Sequence, residues 1–128
     1  MTDTPHLFVY GTLRHDAETE MSMFLGRNAR FVGCARTTGS LFQIERYPGM
    51  ILSQDPRDTV IGEVHQLSDP AVTWPVLDDY EGEDFARQMC RAQLEDGRTI
   101  DAWTYTYKRD TNGKSRIESG DYLEMLKR

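Results

Sequence analysis

An α+β fold with one curved or closed sheet is the class this sequence predicts, and three observations predict it. Strand-like runs outnumber helical ones, about six or seven against three short helices. The helical stretches are scattered, not alternating with strands as βαβ units, which argues against a parallel doubly wound sheet. The clearest pairing signal is a local hairpin, Phe85 to Leu94 with Arg98 to Tyr107, joined through Asp96-Gly97.

Taken in order, His6-Leu7-Phe8-Val9-Tyr10 is a short apolar run ended by Gly11, a buried strand feeding a glycine turn. Residues 16–25 read as a helix, with Asp16 as cap, Gly26 as stop, and Ala17, Met21, Phe24 and Leu25 near helical spacing. Ala29 to Ala35 and Gly39 to Glu45 follow as two strands. Tyr47-Pro48-Gly49 is a turn into the strand Met50-Ile51-Leu52, and Thr59 to Leu67 is a further strand. Asp69-Pro70 opens a helix with Asp69 as cap. Pro75 within it costs about 3 kcal/mol in a helix interior, so the helix is short, kinked or begins near Thr73. The Asp96-Gly97 pair suits a two-residue type I′ turn. Ser119-Gly120-Asp121 caps a terminal helix carrying Tyr122, Leu123, Met125 and Leu126.

The chain of 128 residues has no internal repeat or linker and reads as a single domain, 1–128, long enough to bury a core without metal or disulfide staples. Its formal net charge of −6 argues against a nucleic-acid backbone as partner, since that affinity needs clustered Lys and Arg. No apolar run approaches the roughly 18 residues of a membrane span. The start, Met1-Thr2-Asp3-Thr4-Pro5, lacks a basic region followed by an apolar stretch, so a cytoplasmic location is expected. Cys34 and Cys90 lie far apart in strand-like stretches and read as buried free thiols.

Two segments could carry chemistry. In Val9-Tyr10-Gly11-Thr12-Leu13-Arg14 a strand ends in glycine and turns toward a helix, presenting successive backbone amides that suit a carboxylate or phosphate; alone, this is also what a tight turn looks like. It is not a nucleotide fingerprint, for neither GxGxxG nor GxxxxGK[ST] is present. In Leu77-Asp78-Asp79-Tyr80-Glu81-Gly82-Glu83-Asp84 a run of acids ordinarily means a solvated loop. Glu81, flanked by an aromatic and a glycine, differs: turned inward, desolvation would raise its pKa to where it both accepts and donates a proton. Whether Glu81 or Glu83 faces inward stays open. His6, His15 and His65 lack metal-ligand spacing, so no metal is expected, and no serine sits in a GxSxG elbow. Trp103, Tyr105 and Tyr107 share one strand face, by default core, although a hydroxyll-bearing Tyr105 beside a pocket could position a substrate.

In order, Phe8-Val9-Tyr10-Gly11-Thr12-Leu13-Arg14, Tyr47-Pro48-Gly49, Gly62-Glu63-Val64, Leu77-Asp78-Asp79-Tyr80-Glu81-Gly82 and Ser119-Gly120-Asp121-Tyr122 resemble the γ-glutamylcyclotransferase-like (AIG2-like) family over nearly the whole chain. The resemblance implies a small mixed β-barrel with flanking short helices and a pocket between the YGTL turn and the acidic segment. It implies an enzyme that releases 5-oxoproline from a γ-glutamyl amine or γ-glutamyl peptide-like substrate without a cofactor. The backbone of Tyr10, Gly11, Thr12 and Leu13 would hold the substrate α-carboxylate, and Glu81 matches the catalytic glutamate. Family members often carry a tyrosine two residues before an arginine beyond the YEG; here that trio is Phe85-Ala86-Arg87, and the stretch after Arg14 lacks the Gly/Asn-rich form of many relatives. The alternative is a non-catalytic protein that binds a small carboxylate metabolite in the same pocket.

Overall fold

In the computed structural model, which describes residues 5–126, the apolar strands assemble around β1 (His6–Val9). The stretch Met1–Thr4, on which the reading of a missing export leader rests, lies outside the described residues. β1 pairs antiparallel with β4 (Thr59–Leu67) and parallel with β6 (Thr99–Tyr107). β2 (Ala29–Gln43) lies against β4, β5 (Phe85–Leu94) against β6, and β5 returns to β2 at Ala35–Leu94 and Arg36–Gln93. The circuit β2-β4-β1-β6-β5 is therefore a closed barrel of five strands. Two further strands, β3 (Pro48–Leu52) and β7 (Ser115–Arg116), extend the far half of β2. With α1 (Glu20–Asn28), α2 (Pro70–Glu81) and α3 (Tyr122–Leu126), the described residues form the mixed barrel with short flanking helices expected from sequence.

Strand alternation divides the apolar residues between two layers. Phe8, Val64, Ala92 and Ala102 belong to one buried cluster, with Tyr122 of α3. Leu7, Val9 and Tyr105, on the opposite face of their strands, form a second with Leu25 of α1, Leu77 of α2 and Phe85. β1 contributes to both clusters, which is why its sequence is a continuous apolar run and not an alternating one.

Four local expectations change. The two strands read at 29–35 and 39–45 are one strand of 15 residues, β2. The polar Arg36-Thr37-Thr38 that separates them in sequence is paired throughout with β4, and Thr37 Oγ1 donates to the Arg91 carbonyl at 2.8 Å. A register shift between Phe31 and Gly33 marks a bulge, the usual device for bending such a long strand. The helix read at 16–25 begins later, because Glu18 adopts a left-handed conformation (φ 57°) that a right-handed helix does not pass through. His15–Ala17 is a single 3₁₀ turn, α1 starts at Glu20, and Gly26 lies inside it.

The cap is Thr19, not Asp16: its hydroxyl accepts the Ser22 amide at 3.0 Å and donates to the Thr12 carbonyl at 2.6 Å. Thr19→Ala removes both bonds, and a urea titration is expected to show a loss of about 1–2 kcal/mol.

α2 does begin at Pro70 and runs 12 residues with Pro75 inside. Proline there removes a bond to the carbonyl four residues back, that of the exposed Ala71. The β5–β6 turn is not type I′, which needs two residues of positive φ. Among residues 95–98 only Gly97 has one (φ 93°), the Gly97 amide donates to the Leu94 carbonyl at 3.0 Å, and the pattern is a three-residue loop with a glycine bulge. The cap of α3 is as read: Asp121 Oδ1 accepts the Glu124 amide at 3.1 Å. Neither cysteine is joined in a disulfide; Cys90 is buried as read, whereas Cys34 is half-buried.

Candidate active site

β1 delivers the chain into the turn Tyr10–Arg14, where the Arg14 amide donates to the Gly11 carbonyl at 3.0 Å. No residue of this turn has positive φ, so Gly11 is there for space: a Cβ would lie 2.7 Å from Pro48 Cγ. Among the described residues the amides of Gly11, Thr12 and Leu13 donate to no backbone carbonyl. Three consecutive amides without an internal acceptor, on residues lining a cavity, are suited to an anionic group or water. The Tyr10 hydroxyl is not available to a ligand in the same way. It donates to the Tyr105 carbonyl at 2.6 Å and accepts the Met50 amide at 3.3 Å. Burial, with the charge of Glu81, holds its pKa well above the usual tyrosine value.

The second wall is the last turn of α2. Leu77, fully buried, anchors it in the second cluster, with Leu7, Val9 and Tyr105. Asp78 Oδ1 accepts the Tyr105 hydroxyl at 2.7 Å and pairs with Arg87 Nε at 3.0 Å, while the Arg87 guanidinium stacks 4.2 Å from the Trp74 ring centre. These contacts tie α2 to β5 and β6. Burial and the Asp78 bond also push the Tyr105 pKa far up, so its hydroxyl is a donor already engaged, with acceptor capacity left over. Gly82 then ends the helix with φ 82° and ψ −174°, a region essentially reserved for glycine, and its amide closes on the Asp78 carbonyl at 3.0 Å. The residue left at the helix end is Glu81.

Glu81 lines the cavity, whereas Glu83 is exposed and lies outside the lining. Asp84 is paired with Arg109 at 2.7 Å, and Asp78 is held as described. Burial raises the Glu81 carboxyl from 4.5 to about 7. The cavity, about 270 Å³, brings together all six residues singled out from sequence: Tyr10, Gly11, Thr12, Leu13, Glu81 and Tyr105. Two that sequence reading did not single out complete it. Tyr47 forms an aromatic wall with Phe85, ring centres 5.9 Å apart, and the Tyr80 hydroxyl meets Thr12 Oγ1 at 2.7 Å. Tyr47 sits in the Tyr47-Pro48-Gly49 turn and Tyr80 beside Glu81, so proximity to quoted motifs was the available signal.

The family model for gamma-glutamyl cyclotransferase, AIG2-like, matches residues 7–124. The chain belongs to this family. Gamma-glutamylcyclotransferase family protein YtfP of Escherichia coli K12 is 30% identical over 122 residues, which cover 94% of this chain and 98% of that protein. Gamma-L-glutamyl-butirosin B gamma-glutamyl cyclotransferase of Niallia circulans is 32% identical over 130 residues, covering 94% of this chain and 71% of that protein. The crystal structure of c4763, a uropathogenic E. coli-specific protein, superposes with a TM-score of 0.73 at 27% identity, covering 99% and 98% of the two chains. In this γ-glutamylcyclotransferase-like chain no described helix is long and apolar enough to cross a membrane, and the described residues hold no His/Cys/Asp/Glu group arranged for a metal.

Proposed function

We propose that this γ-glutamylcyclotransferase-like protein releases 5-oxoproline from a γ-glutamyl amine or γ-glutamyl peptide-like substrate, with Glu81 as the single general base and acid. The observation that carries the reading is one carboxyl of pKa about 7 facing the same cavity as the Gly11–Leu13 amides. In this reading the amides hold the α-carboxylate of the γ-glutamyl unit, which sets its α-amine toward Glu81. The ionised Glu81 takes a proton from the α-ammonium, and the freed nitrogen attacks the γ-carbonyl carbon. As the tetrahedral centre collapses, protonated Glu81 gives that proton to the departing nitrogen and the carbon–nitrogen bond breaks. The regenerated carboxylate takes the second proton from the ring nitrogen, 5-oxoproline leaves with the free amine, and Glu81 releases this last proton to solvent. Attack within one molecule supplies much of the rate, since effective molarities of well-oriented intramolecular reactions reach about 10⁵–10⁸ M. A carboxyl with pKa near neutrality is poised for both transfers.

The Niallia circulans relative, a cyclotransferase named for a γ-L-glutamyl conjugate, supports the reaction class. A protein that only binds a carboxylate metabolite has no use for a buried proton-transfer group, so the raised Glu81 favours catalysis. The test is 5-oxoproline release from a panel of γ-glutamyl compounds, with Glu81→Gln as control; equal rates in the two proteins would remove Glu81 from its role. Thermal stabilisation by γ-glutamyl compounds without any product would instead support the binding module.

The Thr12–Tyr80 bond, between two residues of the lining, defines a further expectation. Tyr80→Phe deletes it without altering ring volume. Steady-state kinetics should show a several-fold rise in KM with kcat nearly unchanged, as for an interaction present in both ground and transition states.

A further inference from the structure

Among the fully buried residues that line no part of the cavity is a carboxylate, Glu63 of β4. Its partners are two imidazoles and a main-chain amide. Oε1 accepts the His15 amide at 2.8 Å and meets His65 Nε2 at 3.0 Å, and Oε2 meets His15 Nδ1. Phe31 packs on both imidazoles, with ring centres 4.8 Å and 5.5 Å away. His65 Nδ1 is buried with no hydrogen-bond partner, an arrangement that suits a proton on Nε2, facing the carboxylate, and a bare lone pair on Nδ1. Burial by itself would raise the Glu63 pKa, but the bonds from His65 and from the amide and ring of His15 hold it below the usual carboxylate value. An ionised acceptor makes the stronger hydrogen bonds.

His15 immediately follows the Tyr10–Arg14 turn. At the other end of that turn Val9 is the direct cross-strand partner of Glu63 in the β1–β4 ladder. One residue thus grips the turn twice, its backbone level with the entry at Val9 and its side chain bonded to the exit at His15. We propose that Glu63 is the positioning residue of the carboxylate-binding turn, fixing its exit so that the Gly11, Thr12 and Leu13 amides stay presented to the cavity. The inference rests on the reading of this turn as the seat of the substrate carboxylate, and it adds a residue outside the cavity to the binding apparatus. In sequence Gly62-Glu63-Val64 stands only as part of a motif order, and His15 as a histidine without ligand spacing that opens the divergent stretch after Arg14. Their meeting depends on strand pairing.

The test uses two variants and two readouts. Amide hydrogen exchange is measured across the full-length protein with Glu63→Ala and with Glu63→Gln, which keeps one acceptor oxygen at the same reach. The Arg14 amide, bonded across the turn to the Gly11 carbonyl, and the His15 amide should exchange about tenfold faster or more in Glu63→Ala, and by a smaller factor in Glu63→Gln, while the β5–β6 hairpin stays as in the wild type. Kinetics on whichever γ-glutamyl substrate the wild type turns over should show KM raised about tenfold with kcat within about threefold, partly restored in Glu63→Gln. Unchanged exchange at the Arg14 and His15 amides would overturn the proposal. So would equal acceleration over all strands, which would make Glu63 a general stability residue. Where Glu63→Ala fails to fold, Glu63→Gln decides by the same measurement. A wild type without 5-oxoproline release defeats the functional reading alone, because the exchange arm needs no turnover.

Discussion

Glu81→Gln is expected to lose 5-oxoproline release by about 10²–10⁴-fold, the usual worth of a positioned acid–base group, and to melt at a higher temperature than the wild type at pH 8. Loss of function with gain of stability follows from one fact, the burial that raises this carboxyl from 4.5 to about 7. Between those pH values the native state retains a proton that the unfolded chain has already released. Stability therefore falls as pH rises through that window and stays lowered above it. At about 1.4 kcal/mol per unit the deficit above pH 7 is about 3 kcal/mol, less what solvent at the cavity mouth screens. Glutamine mimics the neutral acid and carries no such deficit. Melting curves of the two proteins should coincide near pH 4 and separate at pH 8, the variant higher by several degrees.

The same carboxyl sets the rate profile. Glu81 must be ionised to take the first proton, so kcat/KM of the wild type should rise with pH through a midpoint near 7. A melting difference of the same size at pH 4 and pH 8 would show that Glu81 titrates normally and would take away the basis for its double role.

What could be seen in the sequence, and what could not, divides along contact range. β1, β4, the β5–β6 hairpin and the Asp121 cap of α3 are encoded by residues adjacent in the chain, and each is where local patterning puts it. β2 misleads, because the polar Arg36-Thr37-Thr38 looks like an interruption until β4 and β5 lie on either side of it. The onset of α1 misleads for a related reason. Asp16 has the right chemistry for a cap, yet His15 is held by Glu63, 48 positions along the chain, and Glu18 turns left-handed before Thr19 takes over the cap. At the candidate site the residues carried by the resemblance do share one cavity. The acidity of Glu81 was not legible from composition, since its neighbours Asp79 and Glu83 are ordinary exposed acids. Only the packing of α2 onto Tyr105 and Arg87 distinguishes it.

Gly62→Ala should be the most disruptive single-methyl change near the site, costing about 3–5 kcal/mol in urea unfolding and raising KM with it. Gly62 lies on β4 one residue before Glu63, where β1 crosses close beneath it. A Cβ there would run into the Val9 carbonyl oxygen and would approach the Phe8 ring to 2.7 Å. A side chain can turn away, whereas the Val9 carbonyl belongs to a strand held in two ladders, with β4 and with β6. Relief therefore means parting β1 from β4, which adds lost backbone bonds of about 1 kcal/mol each to an overpacking cost of about 1–3 kcal/mol. Val9 is also the last residue before the Tyr10–Arg14 turn, so the same displacement moves the amides at the cavity. Gly26→Ala is the matched control. Its Cβ meets nothing within 4 Å, it lies in α1, and alanine there should stabilise by about 0.5–1 kcal/mol with kinetics unchanged. Equal unfolding midpoints for the two variants would mean that β1 and β4 have slack at this crossing, and that the entry to the turn is not held by strand packing.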